Sequence, residues 1–380
     1  MDEVAIVGCE NYEAETVQAA MARLLAPLGG LDWVRAGMTV GIKANLVAPM
    51  KAERAATTHP AVLAALTGML VARGARVIVG DSPGGLYTAA YLNHVYHVTG
   101  LRAVEEAGGE LNRDFTQEVV SFPQGKVARS FAYTSWLSRV DAVVNVCKLK
   151  THGMMGMSAA AKNLFGVVPG TLKPEYHVRF SDHADFARML VDLNDYVRPV
   201  LSVCDAVVGM EGNGPTAGTP RPIGALLASP SPHKLDLCCA RVLGLTRENV
   251  PTLQAAFERG YIPETAEEVS VFGDLAAFAV GDFRHVAGET ACPVGQGMVK
   301  GLFWRVAKKL LVSRPQVHAR ECIGCGKCEK ICPRHTITIK NKKAIIRKKD
   351  CIRCFCCQEF CPVGAMKVRR SPVARLLQKM

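Results

Sequence analysis

Short runs of apolar, mostly β-branched residues recur along the chain as far as residue 229, each closed by a glycine or a polar turn. They are VAIVG (4–8), MTVGIKANL (38–46), ARVIVGDSP (75–83), DAVVNVCKLK (141–150), VLSVCDAVVG (200–209) and GALLAS (224–229). Stretches of helical periodicity, such as PAVLAALTGMLVARG, stand between them. Strands apolar on both faces and separated by helices predict βαβ units. The expected fold class is therefore α/β, with a mainly parallel sheet and helices on both faces. The longest apolar stretch, AVLAALTGMLVA, ends at Arg73, well short of the ~18 residues that a membrane span needs. The opening MDEVAIVG has none of the basic and apolar regions of a signal peptide. A cytoplasmic protein without a transmembrane segment is expected.

Composition divides the chain in two. The formal net charge is +12, and residues 1–314 are neutral, so all of the excess lies in residues 315–380. Nine of the 15 cysteines also fall there. Without a secretion signal, such cysteine density points to metal ligation and away from disulfides. The expected organisation is an α/β domain over 1–296, an amphipathic linker helix over 297–314 and a small basic domain over 315–380. The linker, GMVKGLFWRVAKKLLVSRP, carries apolar residues at helical spacing with cations between them. Packing against a neighbouring domain is the favoured role for that stripe, with a membrane surface or a partner as the alternatives.

The basic segment contains CIGCGKCEKICP and CIRCFCCQEFCP, two copies of C-x2-C-x2-C-x3-C-P. Three thiolates in a tight loop suit three corners of a cubane, and the fourth, before proline, points to the other cluster. This crossed pattern assigns Cys322, Cys325, Cys328 and Cys361 to one 4Fe-4S cluster. Cys351, Cys354, Cys357 and Cys332 go to a second. Zinc sites more often use paired C-x2-C units than matched sets of four ending in Cys-Pro. Cys356 is an extra thiol and reads as a spectator. The segment resembles a bacterial-type two-cluster ferredoxin over residues 315–368. Two such clusters carry about −4 in total, so most of the positive charge remains and suits an acidic redox partner or simply a solvated face. No aromatic platform accompanies the charge, and nucleic acid is not expected as a partner.

In open α/β sheets, ligands bind beyond the carboxyl ends of the strands. At those ends stand Lys43 and Asn45, then DSPGG with Asp81 and Ser82, then KLKTHGMMGMSAAAKNLFGVVPG, and EGNGPTAG with Glu211, Asn213 and Gly214. Between Asp141 and Glu175 the chain carries no acidic residue, yet it holds Lys148, Lys150, His152, Lys162 and Lys173, with Asn163 beside Lys162. Unopposed ammonium groups attract a phosphate or carboxylate; pairing with carboxylates distant in sequence is the competing reading. His152 is a candidate proton carrier or metal ligand, and His177 and His183, with Asp182, add further candidate ligands. Met154, Met155 and Met157 read as core fillers. No Walker motif, strand-linked dinucleotide fingerprint, nucleophile elbow or zinc-protease motif is present.

These stretches resemble the DUF362 domain, a family often fused to a two-cluster ferredoxin, over residues 3–285. A distant similarity extends to nickel-pincer racemase domains. The family implies a domain boundary and no reaction. Two functions follow. One is an electron carrier with two 4Fe-4S clusters whose α/β domain holds an anionic ligand or a redox partner. The other is an iron–sulfur oxidoreductase acting on an anionic small molecule. Its candidate catalytic residues are Lys148, His152, Lys162 and Asp81. Its candidate ligand-binding residues are Lys43, Asn45, Asp81, Ser82, Lys148, Lys150, His152, Lys162, Asn163 and Gly214. A redox sensor is a third class without a dedicated sequence feature.

Overall fold

The computed structural model describes residues 3–286 and 313–369. In chain order the strands of the larger part are β1 (Val4–Gly8), β2 (Thr39–Lys43), β3 (Arg76–Gly80), β4 (Glu110–Leu111), β5 (Gln117–Ser121), β6 (Ser130–Thr134), β7 (Ala142–His152), β8 (Gly156–Ser158), β9 (Leu201–Glu211), β10 (Thr219–Ser229) and β11 (Val271–Phe272). Nine of them form one sheet in the order β11-β1-β10-β9-β7-β2-β3-β4, with β8 paired to β7 off this path. The central pairs β9–β7, β7–β2 and β2–β3 are parallel, as the sequence pattern predicts. β10 is the exception among the strands read from sequence, running antiparallel between β1 and β9. The seven-residue connection from β9 is too short for a crossover helix, so the chain turns back on itself.

Helices cover both faces. Alternate residues of the strands, such as Ala5, Val7, Val40, Ile42, Val144 and Val146, pack against α1 (Ala14–Leu25) and α2 (Pro60–Ala72). The intervening residues Val4, Ile6, Cys147 and Leu149 face a second core. Further elements are α3 (Ala89–Val98), α4 (Arg102–Glu106), α5 (Ala160–Asn163), α6 (Lys173–Arg179), α7 (His183–Val197), α8 (Pro232–Val242) and α9 (Pro251–Phe257). α8 and α9 supply much of that second core. Met157 is buried there, while Met154 and Met155 are buried in a third core that includes α7.

The small C-terminal part pairs β12 (Arg314–Val317) with β15 (Met366–Arg369), and β13 (Ile337–Lys340) with β14 (Lys343–Ile346). A hairpin, β13–β14, joins the two cysteine motifs, with Asn341 and Lys342 both left-handed, as a two-residue turn demands. Left-handed residues recur at a 29-residue offset: Gly324 with Arg353, Gly326 with Phe355, and His335 with Gly364. The duplicated motifs thus keep one backbone path even where the second copy lacks glycine. The helix expected over 297–314 lies outside the described residues, apart from its last two, and Arg314 already belongs to β12.

Glycines on β2 and β3 let the Trp136 ring lie close against the sheet. A β-carbon at Gly80 would meet Asn112 Cβ at 2.7 Å and Trp136 Cζ2 at 3.0 Å. Gly80→Ala is expected to lower stability by about 1–3 kcal/mol through overpacking. The measurement is a urea titration, and an unchanged midpoint would mean that the ring yields at no cost.

Candidate active site

The parallel strands end at one edge, and there the chain gathers its buried charges. Lys43 Nζ lies 2.6 Å from Asp81 Oδ1, and Asp81 Oδ2 accepts a hydrogen bond from Leu46 N at 2.7 Å. Lys148 Nζ lies 2.9 Å from Asp205 Oδ2 and donates to Tyr12 Oη at 2.8 Å. Lys148 and Asp205 are register partners on β7 and β9. Two of the lysines without a local carboxylate are therefore neutralised by carboxylates brought from elsewhere in the chain.

The others are not. Lys150 Nζ donates to Asn45 Oδ1 at 2.8 Å and to Ala56 O at 2.6 Å, both neutral oxygens. Lys173 Nζ donates to the carbonyls of Ser82 and Val168, each at 2.6 Å. Burial pushes Lys150 and Lys173 down to about 7, with the Lys162 charge acting in the same direction. Lys162 itself stands 5.3 Å from the centre of the Phe165 ring.

His152 ends β7. Its Nδ1 accepts from the backbone N–H of Met154 and of Met155, both at 3.1 Å. That leaves Nε2 as the protonated nitrogen of the neutral ring. Nε2 stands 2.9 Å from Glu359 Oε1, at angles that fall short of a hydrogen bond. Burial pushes His152 down to about 4. Burial also works to raise Glu359, yet His152, Lys162 and His177 outweigh it and hold this carboxyl well below its usual range. His177 is buried and neutral, pushed by burial to about 3, and its ring stacks on Phe186 at 4.5 Å.

Glu359 belongs to the second cysteine motif, so the small part of the chain reaches into this edge. Its neighbour Gln358 is fully buried, and Gln358 Nε2 donates to Asn213 Oδ1 at 2.7 Å and to Gly214 O at 2.8 Å. Thr216 Oγ1 donates to Glu359 O at 3.0 Å, and Asn213 Nδ2 to Met366 O at 3.0 Å. A β-carbon at Gly153 would collide with Gln358 Oε1, and one at Gly84 would enter the Phe360 ring. The DSPGG and EGNGPTAG loops are thus a seat for residues 358–360.

Between the two parts lies a cavity of about 720 Å³. Of the residues expected from sequence, Asn45, Asp81, Ser82, Lys150, His152, Lys162 and Asn163 line it. Lys43, Lys148 and Gly214 do not: the first two are held in their ion pairs, and Gly214 serves the seat. Asn163 is spent on the frame, donating to Asn145 Oδ1 at 2.8 Å and accepting from Asn45 Nδ2 at 2.8 Å. His177 lines the cavity as well, whereas Asp182 caps α7. Lys173, one of the cations gathered by the sequence though not proposed as a ligand, also lines it, as do Glu359, Phe360 and Lys367, which sequence reasoning missed. A signal was present for Glu359 and Phe360. The spacer reads EKI in the first cysteine motif and QEF in the second, and the second copy is the one seated.

The cysteines fall into two groups. Cys322, Cys325, Cys328 and Cys361 line one small cavity, and Cys332, Cys351, Cys354, Cys356 and Cys357 line another. Each set of four expected from the crossed pattern shares a hollow, so the donor sets suit a 4Fe-4S cluster apiece. Cys361 and Cys356 also line the large cavity. Among the described residues no helix is long and apolar enough to cross a membrane.

Residues 40–241 match the family model described as "Domain of unknown function (DUF362)". The chain belongs to the DUF362 family. Residues 321–365 of this DUF362 protein match a 4Fe-4S dicluster domain, which marks an iron–sulfur electron-transfer segment. The chain is 33% identical over 271 residues to the thylakoid-associated protein sll1697 of Synechocystis sp., covering 70% of this chain and 81% of that protein. A structure of the lactate racemase apoprotein from Thermoanaerobacterium thermosaccharolyticum overlaps it with a TM-score of 0.41 and 12% identity, over 65% of this chain. The chain spans 58% of that structure's length.

Gln358→Ala removes a side chain that holds the seat, where each hydrogen bond contributes ~1 kcal/mol. Hydrogen exchange of residues 211–218 is expected to speed up roughly tenfold or more. Unchanged exchange would show that the seat holds without this side chain.

Proposed function

We propose that this DUF362 protein is an iron–sulfur oxidoreductase that exchanges electrons with an anionic small molecule held between its two parts. One observation carries this reading. A single cavity is lined at once by the unneutralised Lys150, Lys162 and Lys173 and by Cys356 and Cys361 of the cysteine motifs. Cys322, Cys325, Cys328 and Cys361 would hold one cluster, and Cys332, Cys351, Cys354 and Cys357 the other. When bound, each cluster supplies one-electron transfer. The lysines attract and orient the anion, and the charge of the buried Lys150 acts more strongly there than in bulk water. His152 keeps its proton on Nε2, beside Glu359 at the cavity wall. Asp81 and Asn163 hold Lys43 and Asn45 in place and so set the floor of the site.

The second reading, a plain carrier, is favoured by the charge of residues 315–380, which suits docking of an acidic redox partner. A cytoplasmic location fits either reading, as does the thylakoid association that the relative's name records.

Iron content tests the ligand assignment. Cys361→Ala is expected to lose about four of about eight iron atoms per chain, whereas Cys356→Ala keeps all of them. Loss of iron in Cys356→Ala would make that thiol a ligand. Native mass spectrometry of anaerobically purified protein tests the cavity. A mass above chain and clusters is expected, and Lys162→Ala should lose it with the cluster absorbance intact. A parent mass accounted for by the chain and two clusters would favour the carrier.

A further inference from the structure

Six cationic side chains among the described residues line the cavity: Arg54, Lys150, Lys162, Lys173, Lys327 and Lys367, the last already paired with Glu321 at 3.1 Å. Among the described residues two carboxylates do: Asp81 is paired with Lys43, and Glu359, beside the neutral His152, offsets one of the cations. A singly charged ligand would leave most of this field uncompensated. The volume, about 720 Å³, lies within the usual range for a whole small molecule.

Two of the six lysines and arginines differ from the rest in their surroundings. Each ammonium group has three N–H donors. Lys150 gives two of them to Asn45 and Ala56, and Lys173 gives two to Ser82 and Val168. All four acceptors are uncharged, and one donor on each lysine is left over in a cavity wall. We propose that the cavity takes a multiply charged anion, a polycarboxylate or a phosphate ester, and that Lys150 and Lys173 each take up a proton as it binds. This rests on the reading that the cavity holds an anion.

The electrostatics around both groups agree. Lys150 is acted on by Lys162 and Lys148 against Glu359 and Asp81, and Lys173 by Lys43 and Lys162 against Asp81 and Glu359. Burial outweighs these charges and leaves both lysines near 7 without a ligand. An oxyanion in contact with the free N–H favours the charged form and raises both. Below about pH 7 the lysines are already protonated and binding is strongest. As the pH rises above 7, protons must be drawn from solution, and affinity falls by about tenfold per pH unit for each lysine involved.

The test is calorimetric titration of the anaerobic, cluster-loaded full chain with pyrophosphate and, separately, with propane-1,2,3-tricarboxylate. Two buffers of different ionisation enthalpy are used at each pH. The expected result is binding of at least one of the two, with net proton uptake at pH 8 once the anion's own change of ionisation is subtracted, and affinity falling at least tenfold per pH unit between pH 7 and 9. The preferred anion decides between phosphate and carboxylate chemistry. Lys150→Arg and Lys173→Arg keep their charge at every pH, so each is expected to bind at pH 8 with about one proton fewer taken up and a flatter pH profile. Equal uptake in both arginine variants and the parent overturns the assignment of the protons. Binding without uptake overturns the proton linkage and leaves the anion site standing. Failure of both anions at millimolar concentration overturns the polyanion class, whether or not native mass spectrometry finds another bound molecule.

Discussion

Everything at the candidate site depends on the docking of three residues, the buried Gln358 and the half-buried Glu359 and Phe360, against the edge of a sheet far from them in the chain. Each meets a different kind of constraint. Gln358 satisfies backbone and side-chain acceptors of the 211–218 loop, Glu359 meets His152, and Phe360 lies over Gly84. A buried glutamine or carboxylate without partners would cost several kcal/mol. The seat therefore works only when both parts of the chain are in register. The glycines at 84 and 153 are required because any side chain there would occupy the space of the seated residues.

The seat explains where the cations go. At the end of a parallel sheet, strands distant in sequence converge, so Lys43 finds Asp81 and Lys148 finds Asp205. The lysines that remain, at 150, 162 and 173, face the space that the small part closes over. Burial there pulls Lys150 and Lys173 towards neutrality, and the Lys162 charge acts the same way. The same closure brings Cys356 and Cys361 to the cavity wall. Charge, dryness and the cysteine motifs are thus consequences of one packing event.

Several features of this arrangement were legible beforehand for local reasons. Alternating apolar positions and βαβ spacing located six strands of the sheet, because side-chain direction in a strand depends only on parity. Seven of the ten proposed ligand residues do line the cavity, since the carboxyl ends of parallel strands share an edge. Lys148 and Gly214 escaped this logic. Which lysine meets a carboxylate is set by the β7–β9 register, and whether a glycine contacts ligand or protein is set by what docks on it. Glu359 was legible only in part: the spacer QEF sets the second motif apart from EKI in the first, but the group it meets stands at a strand end some 200 residues earlier in the chain.

By itself, the sequence determined the class of the fold, the two cysteine sets and the excess of cations near one strand end. These are set by spacing and composition, which are local quantities. Only the tertiary structure decided which lysines stay unneutralised, which glycines form a seat, and that the cysteine motifs share a cavity with the α/β sheet. Each of those outcomes depends on distances between groups far apart in the chain, and the chain acquires such distances only when it packs.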